Sequence, residues 1–193
     1  MRKNKAIGID IDAVLADSDP VFIKELQQIT GKEFIRTKET PFKYEDAFGI
    51  DEDTMNIFWD TFTRKNGWID IPVLSGAVEA VKLLHEEYHI AIVSARPQVL
   101  ETQTVKWLEL NNIPFDEIFF TDFEDKAQKL SHLDELEYFL EDNPIFIMDL
   151  IKRGVHILLF DYPWNQNFTD PGVTRVFGWE DVYKLFFKSN RAR

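Results

Sequence analysis

The chain has 193 residues, of which 45% are hydrophobic and 14% are aromatic. This length and composition suit one folded domain with a sizeable core and room for a modest insertion. The formal net charge is −12, so the surface as a whole repels nucleic-acid backbones and anionic lipid headgroups. We therefore expect neither bulk nucleic acid nor a membrane as a partner, while a local site for one small anion remains compatible with this charge.

Cysteine is absent from the sequence, which excludes disulfides, thiolate nucleophiles and thiolate metal sites. Any metal ion would be held by oxygen or histidine ligands. The apolar run near the amino terminus is too short for a secretory signal or a membrane span, and no later run approaches 18 uninterrupted apolar residues. These features predict a cytoplasmic protein.

Taken in chain order, short apolar runs alternate with helical patterns. The first run, Ala6 to Ile11, has the character of a strand buried on both faces of a parallel sheet. Further strands are predicted at residues 90–94, 117–120, 138–140, 156–160 and 174–177. Helices are predicted at residues 77–87, 99–111, 126–133 and 143–153, with a last helix from about Trp179. This alternation predicts an α/β fold with a doubly wound, Rossmann-like parallel sheet.

Residues 17–71 interrupt the alternation and are called the helical insertion below. They contain no convincing strand, whereas Pro20 to Ile29 and Asp51 to Lys65 have helical patterns. A loop containing the aromatic-rich stretch KYEDAF is expected to join these two helices. The chain is therefore predicted to consist of a small helical cap, residues 17–71, and a core domain, residues 1–16 and 72–193.

Two carboxylates, Asp10 and Asp12, stand where the first strand is expected to end, in the stretch IGIDIDAVLAD. Ligands of open α/β sheets bind beyond the carboxyl ends of the strands, and residues two apart in an extended segment point to the same side. Carboxylates sharing a pocket repel each other unless a cation neutralises them or one is protonated. Mg2+ suits such ligands. The alternative is a helix cap and a turn, where Asp is common.

Polar side chains also follow the second and third predicted strands. Ser94 ends the second strand, and its hydroxyl and the following backbone N–H groups, from Ala95 onward, are suited to donate to phosphoryl oxygens. Lys126 begins the next helix, and its ammonium is suited to act as a point charge on a phosphoryl group. Lys129 is a rival for that role. Each residue alone is equally compatible with a turn or a solvated surface.

An acidic pair, Glu141 and Asp142, follows the fourth predicted strand. Alone, the pair fits the amino terminus of a helix, where negative charge is favourable. Because the carboxyl ends of parallel strands share one edge of the sheet, the pair is expected to lie near the residues that follow the other strands. The whole set therefore predicts a site for a metal ion and a phosphoryl group.

These residues resemble the motifs of the haloacid dehalogenase superfamily of phosphohydrolases. The stretch DIDAVL from Asp10 is similar to its first motif, Ser94 to the second, Lys126 to the third, and Glu141 with Asp142 to the fourth. The stretches IDAVLAD, SARP, FLEDNP and DYPWN are further similar to the 5′(3′)-deoxyribonucleotidase group and its bacterial relatives. In that group a helical cap follows the first strand.

The resemblance implies a Mg2+-dependent phosphomonoesterase with an aspartyl-phosphate intermediate. Asp10 would attack phosphorus, and Asp12 would protonate the leaving alcohol and then activate water. Mg2+ would be held by Asp10, the Asp12 backbone carbonyl and Asp142, with Glu141 nearby or bridged by water. The phosphoryl oxygens would be bound by Ser94, Ala95 and Lys126.

The substrate implied is a small phosphate monoester, and the resemblance favours a nucleoside monophosphate. Aromatic side chains of the helical insertion suit stacking on a base, although each of them also suits the insertion's own core. Two alternatives stay open: another small phosphate ester such as a sugar phosphate, and a metal- and phosphate-binding domain with weak turnover. Ala13, which stands where the family usually has glycine, supports the last alternative. The oligomeric state is not determined, and a homodimer is one option.

Overall fold

The computed structural model describes residues 5–121, 126–133 and 135–188. A six-stranded sheet with the order β3-β2-β1-β4-β5-β6 forms its centre, and all neighbouring strands are parallel. The strands are β1 (Ala6–Ile9), β2 (His89–Ser94), β3 (Glu117–Phe120), β4 (Leu136–Glu141), β5 (His156–Phe160) and β6 (Val173–Val176). This order reverses direction between β1 and β4, as expected of a doubly wound sheet. The predicted α/β fold is confirmed.

Helices surround the sheet in the described part of the chain. They are α1 (Ser18–Thr30), α2 (Tyr44–Phe48), α3 (Glu52–Arg64), α4 (Ala77–Glu87), α5 (Glu101–Leu110), α6 (Lys126–Lys129), α7 (Met148–Lys152) and α8 (Trp179–Tyr183). Short 3-10 turns precede α5 and α7 and follow α3 and α6. None of the helices among the described residues combines the length and the apolar character needed to cross a membrane.

The sheet separates two buried apolar layers. Ile7 and Ile9 pack on one side with side chains of α4, α5 and α8, while Phe139 packs on the other with Leu130 and with α7. This division follows from the alternation of side chains along a strand. Gly8 faces Phe139 so closely that an added Cβ would lie 2.3 Å from the phenylalanine Cδ2 atom. Close packing of β1 against this ring therefore requires glycine.

Strand β1 ends at Ile9, two residues earlier than predicted. The chain then turns tightly, because the backbone N–H groups of Leu15 and Ala16 both donate to the Ile11 carbonyl at 2.8 Å. Ala13 lies in this turn with φ +62°, a left-handed conformation that favours glycine. The strand on which the predicted alignment of Asp10 with Asp12 rested therefore ends before Asp10.

The helical insertion contains α1, α2 and α3. Within the KYEDAF stretch, Tyr44–Phe48 form α2 rather than the predicted loop. Gly49 adopts φ +62° and its N–H donates to the Glu45 carbonyl, which closes the helix. Phe22 of α1 lies at the centre of an aromatic cluster, and its ring contacts those of Tyr44, Phe58, Trp59, Phe62 and Trp68. The domain boundaries at residues 17 and 71 stay a prediction.

Candidate active site

The carboxyl ends of β1 and β4 bring three carboxylates together. Asp10 directly follows β1, and its N–H donates to the Leu140 carbonyl at 3.0 Å, which fixes it beside β4. Glu141 ends β4, and Asp142 follows it. One oxygen each of Asp10, Glu141 and Asp142 lies within 4.8 Å of the others, and all three residues are buried. The strand order places them at the point where α/β sheets bind ligands.

Lys126 completes what is called the carboxylate cluster below, namely Asp10, Glu141, Asp142 and Lys126. Its buried ammonium donates to Asp10 Oδ1 at 2.6 Å and to Glu141 Oε2 at 2.7 Å. Lys126 begins α6, whereas Lys129 at the end of that short helix is exposed. The geometry thus brings Lys126, and not its rival, to the acidic residues. Residues 122–125, which precede the lysine, lie outside the described residues.

With its three carboxyl groups ionised, the cluster contains more negative than positive charge. Burial raises the pKa of Asp10 to about 7; Lys126 opposes this rise and Glu141 adds to it. Burial, followed by the charges of Glu141 and Asp10, also raises the pKa of Asp142 well above its usual value. Burial disfavours the Lys126 ammonium, yet the adjacent Asp10 and Glu141 outweigh it and raise its pKa. Three carboxylates against one ammonium leave a site that favours an added cation.

A hard divalent cation fits this set of side chains. All the clustered ligand atoms are carboxylate oxygens, the type that Mg2+ prefers. The oxygens of Glu141 already have partners, because Oε2 binds Lys126 and Oε1 accepts the N–H groups of Asp142 and Asn143 at 3.0 and 3.1 Å. The Asn143 side-chain nitrogen is buried without a hydrogen-bond partner among the described residues. It is a donor left for a ligand or a water molecule.

Asp12 lies in the tight turn and is bound by Arg96, a residue that sequence reasoning did not assign. Arg96 donates from Nε and Nη2 to the two Asp12 oxygens, at 2.8 and 2.9 Å. The arginine side chain is 1% exposed and that of Asp12 is 29% exposed. The Arg96 guanidinium also lies 4.7 Å from the ring centre of Trp68 in the helical insertion. In the sequence, Arg96 is the arginine of the SARP stretch, and a cation two residues after Ser94 was the feature that could have indicated this role.

Ser94 is the buried last residue of β2, next to β1 in the sheet. Its Oγ accepts the Arg96 N–H at 3.1 Å, so the hydroxyl proton can be donated elsewhere. Ala95 lies between Ser94 and Arg96, and its backbone N–H is the first one after the end of β2. The predicted role of both Ser94 and Ala95 in binding a phosphoryl group stays a prediction.

The turn after β5 contacts Asp142, and sequence reasoning did not assign these contacts either. Trp164 donates its indole N–H to Asp142 Oδ2 at 2.9 Å, and Asn165 donates its side-chain N–H to the Asp142 carbonyl at 2.7 Å. Arg175 of β6 in turn donates to Asn165 Oδ1 at 2.6 Å. The DYPWN stretch could have indicated these contacts, since tryptophan and asparagine both have side-chain N–H donors.

Comparison with known families agrees with this arrangement. Residues 4–192 match the family described as 5′ nucleotidase, deoxy (pyrimidine), cytosolic type C protein. The chain belongs to this 5′-nucleotidase family. It is therefore a hydrolase of the nucleotidase type, and the predicted family is confirmed.

Individual relatives of this 5′-nucleotidase family member cover nearly its whole length. The protein named "Putative nucleotidase OB0422" of Oceanobacillus iheyensis is 28% identical over 183 residues, which are 90% of this chain and 95% of that protein. A nucleotidase of Clostridium acetobutylicum is 25% identical over 188 residues, 95% of this chain and 96% of that protein.

Solved structures support the fold. The haloacid dehalogenase-like family hydrolase SP0104 of Streptococcus pneumoniae superposes with a TM-score of 0.69 at 18% identity. The match covers 96% of this chain and 100% of that protein. The 5′-nucleotidase family member thus has the haloacid dehalogenase-like fold that its motifs predicted.

Proposed function

We propose that this chain is a Mg2+-dependent phosphomonoesterase that hydrolyses nucleoside monophosphates through an aspartyl-phosphate. The carboxylate cluster is the observation that carries the proposal. It combines an acidic group suited to attack phosphorus, Asp10, with an ammonium 2.6 Å away, Lys126. Both lie buried at the edge of the sheet where such folds bind ligands.

The metal-holding residues of the proposal are Asp10 and Asp142 through their carboxylates and Asp12 through its backbone carbonyl. Glu141 would keep these groups in place, because its oxygens already bind Lys126 and two backbone N–H groups. A bound Mg2+ supplies positive charge that keeps Asp10 ionised and polarises the phosphoryl group.

The chemistry proceeds in two displacements. The Asp10 carboxylate attacks phosphorus, the bond from phosphorus to the ester oxygen breaks, and Asp12 gives its proton to the leaving alcohol. Asp12 then takes a proton from a water molecule, whose oxygen attacks phosphorus. Inorganic phosphate leaves and the Asp10 carboxylate is regenerated. Arg96 holds the Asp12 carboxylate by two hydrogen bonds and so fixes the direction of proton transfer.

Lys126 and Ser94 would bind the transferring phosphoryl group. An ammonium has three N–H donors, and Asp10 and Glu141 take two of those of Lys126, so one is left for a phosphoryl oxygen. The Ser94 hydroxyl proton is another donor, with the Ala95 N–H next in the chain. Donors arranged in advance around a developing charge stabilise the transition state.

The nucleotide is proposed from the family description and from the aromatic insertion. Phe58, Phe62 and Trp68 are buried in the insertion's own core, which leaves a half-buried ring such as Phe42 as a surface for a base. Lys43 and Arg64 are exposed cations of the insertion, suited to contact a sugar or a phosphate. A sugar phosphate or another small ester is the alternative substrate.

The proposed function is tested by Asp10→Asn with Asp17→Asn as the matched control. Phosphate release in Mg2+ is expected to fall at least about 1,000-fold in Asp10→Asn, because the nucleophile is lost. Asp17 ends no strand of the sheet and makes no capping hydrogen bond at α1, so its variant should keep activity. Circular dichroism checks that both variants fold. Activity of Asp10→Asn equal to that of the parent protein would falsify the assignment.

A panel of substrates and chelation test the rest of the proposal. Ribo- and deoxyribonucleoside 5′- and 3′-monophosphates are compared with glucose 6-phosphate by phosphate release. Faster release from the sugar phosphate would replace the nucleotide by the alternative substrate, and release from no ester would favour a binding domain. Activity that persists in excess EDTA would contradict the metal requirement.

A further inference from the structure

Trp164 joins the carboxylate cluster to the helical insertion. Its indole N–H donates to Asp142 Oδ2 at 2.9 Å and also approaches the Asp142 backbone carbonyl at 3.2 Å. The donor therefore engages both the side chain and the main chain of one candidate metal ligand. Since Asp142 is buried, this contact restricts which way the carboxylate can turn.

The two faces of the Trp164 ring have different neighbours. The Tyr162 ring stacks on it at 4.6 Å with an interplanar angle of 5°, and the Arg36 guanidinium lies 4.7 Å from its centre. Two groups this close to one ring centre cannot share a face, so the indole is held between the core domain and the helical insertion. The edge of Phe42 adds a second contact from the insertion, at 5.7 Å.

Arg36 is itself held firmly within the insertion. It donates to both oxygens of Asp19 at about 3 Å, and its Nη atoms donate to the carbonyls of Pro41 and Phe42. Tyr44 donates its hydroxyl to the same aspartate at 2.7 Å. The arginine is 8% exposed, so the guanidinium presented to Trp164 moves with the insertion. A cation over an indole is the strongest of the cation–π pairings.

We propose that Trp164 is a positioning residue that couples docking of the helical insertion to the orientation of Asp142, and thereby to Mg2+ affinity. The inference rests on the proposed function, because it takes Asp142 as a metal ligand. Groups that hydrogen-bond to a metal ligand fix its orientation, and their loss lowers metal affinity about 10- to 100-fold. Here that group is in turn fixed by a residue of the insertion, so an insertion that moves away from Trp164 weakens the metal site.

The first test measures Mg2+ binding to metal-free protein by calorimetry. Trp164→Phe keeps an aromatic ring for stacking but removes the N–H donor, so we expect the dissociation constant to rise about tenfold. Trp59→Phe is the matched control, since this half-buried indole packs within the insertion against Phe58 and Trp68; it should leave the constant within twofold. A Trp164→Phe constant within twofold of the parent's, or a parent protein that binds no Mg2+, overturns the proposal.

The second test is a double-mutant cycle with Arg36→Lys, which keeps the positive charge beside Asp19 but removes the planar guanidinium. This change should raise the Mg2+ dissociation constant about threefold in the parent protein and leave it unchanged in the Trp164→Phe background. Equal effects in both backgrounds would show that the insertion acts on the metal site by another route, and would overturn the coupling.

Kinetics separates this inference from the proposed function. Trp164→Phe should raise the Mg2+ concentration that gives half-maximal phosphate release, with kcat at saturating Mg2+ within about threefold of the parent's. If the parent releases no phosphate but the calorimetric differences are found, the proposed function fails and the coupling stands. If phosphate release is normal and Mg2+ binding is unaffected, the coupling alone fails.

Discussion

Asp10 and Asp12 lie two residues apart in the chain but in opposite electrostatic settings. Asp10 shares one ammonium with Glu141, and Asp142 is a third buried carboxylate beside them, so the surroundings of Asp10 contain an excess of negative charge. Asp12 has a guanidinium of its own, bound through two hydrogen bonds, so that pair is balanced. The carboxylate cluster is fully buried, whereas Asp12 keeps 29% of its side chain exposed.

This difference in charge balance indicates which part of the site favours an added cation and which part is already neutralised by the protein's own side chains. An unbalanced buried charge is costly unless a cation is supplied, so the carboxylate cluster is the part of the site that calls for a metal ion. The Asp12–Arg96 pair needs no added ion and can hold its carboxylate in one orientation for proton transfer. The proposed function uses these two parts as a nucleophile beside a cation and an oriented acid.

The largest effect on stability is expected for Lys126→Met. Removing the ammonium of the carboxylate cluster leaves its three buried carboxylates without a neutralising cation, which we expect to lower the free energy of unfolding by about 3–5 kcal/mol without metal. Urea denaturation in EDTA measures it. Lys129→Met, which removes an exposed lysine of the same helix, should change stability by less than about 0.5 kcal/mol. Equal effects of the two variants would mean that the cluster does not depend on Lys126.

The next largest effect is expected on adding Mg2+ to the metal-free protein. A ligand that binds only the folded state at 100 times its dissociation constant raises the free energy of unfolding by about 2.7 kcal/mol. Thermal unfolding monitors the shift. Asp142→Asn should abolish most of this stabilisation by Mg2+, because the substitution removes the negative charge of one carboxylate in the cluster. A parent protein whose midpoint does not respond to Mg2+ would remove the contrast between the two aspartates.

A smaller effect is expected for Arg96→Met. The Asp12 carboxylate loses two hydrogen bonds, but water can reach it, so we expect a loss of about 2 kcal/mol in the free energy of unfolding. Phosphate release should fall more than stability implies, since Asp12 is no longer held. Arg64→Met is the control, because that arginine pairs with Asp60 on the exposed surface. A loss of stability as large as that of Lys126→Met would show that the Asp12–Arg96 pair is as costly to break as the carboxylate cluster, and would contradict the comparison.

The smallest effect is expected for Ala13→Gly, in the turn that contains Asp12. Ala13 has φ +62°, so glycine should remove a strain of about 1 kcal/mol, partly offset by its greater freedom in the unfolded chain. Asn112→Gly is the comparison, since Asn112 also has positive φ but asparagine tolerates it. Thermal unfolding of both variants checks this; destabilisation by Ala13→Gly would contradict the strain.

Local periodicity was enough to predict most elements of the fold. The bounds of β3, β5 and α4 agree with those predicted from the apolar runs and the helical pattern, because local hydrophobic periodicity marks these segments. The error at the end of β1 arose because the hydrogen bonds to Ile11 form only when the turn is closed. The error at α2 arose because its closing residue, Gly49, was not counted as a helix stop.

The sequence by itself determined which residues stand at the strand ends, since alternating strands and helices impose a parallel sheet whose carboxyl ends share one edge. That is why Asp10, Ser94, Lys126, Glu141 and Asp142 were all named from the chain. Only the tertiary structure decided their partners. Lys126 and Asp10 are 116 residues apart and Arg96 and Asp12 are 84 apart. Which cation meets which carboxylate, and which indole meets Asp142, depends on packing distances of a few ångströms that no local pattern encodes.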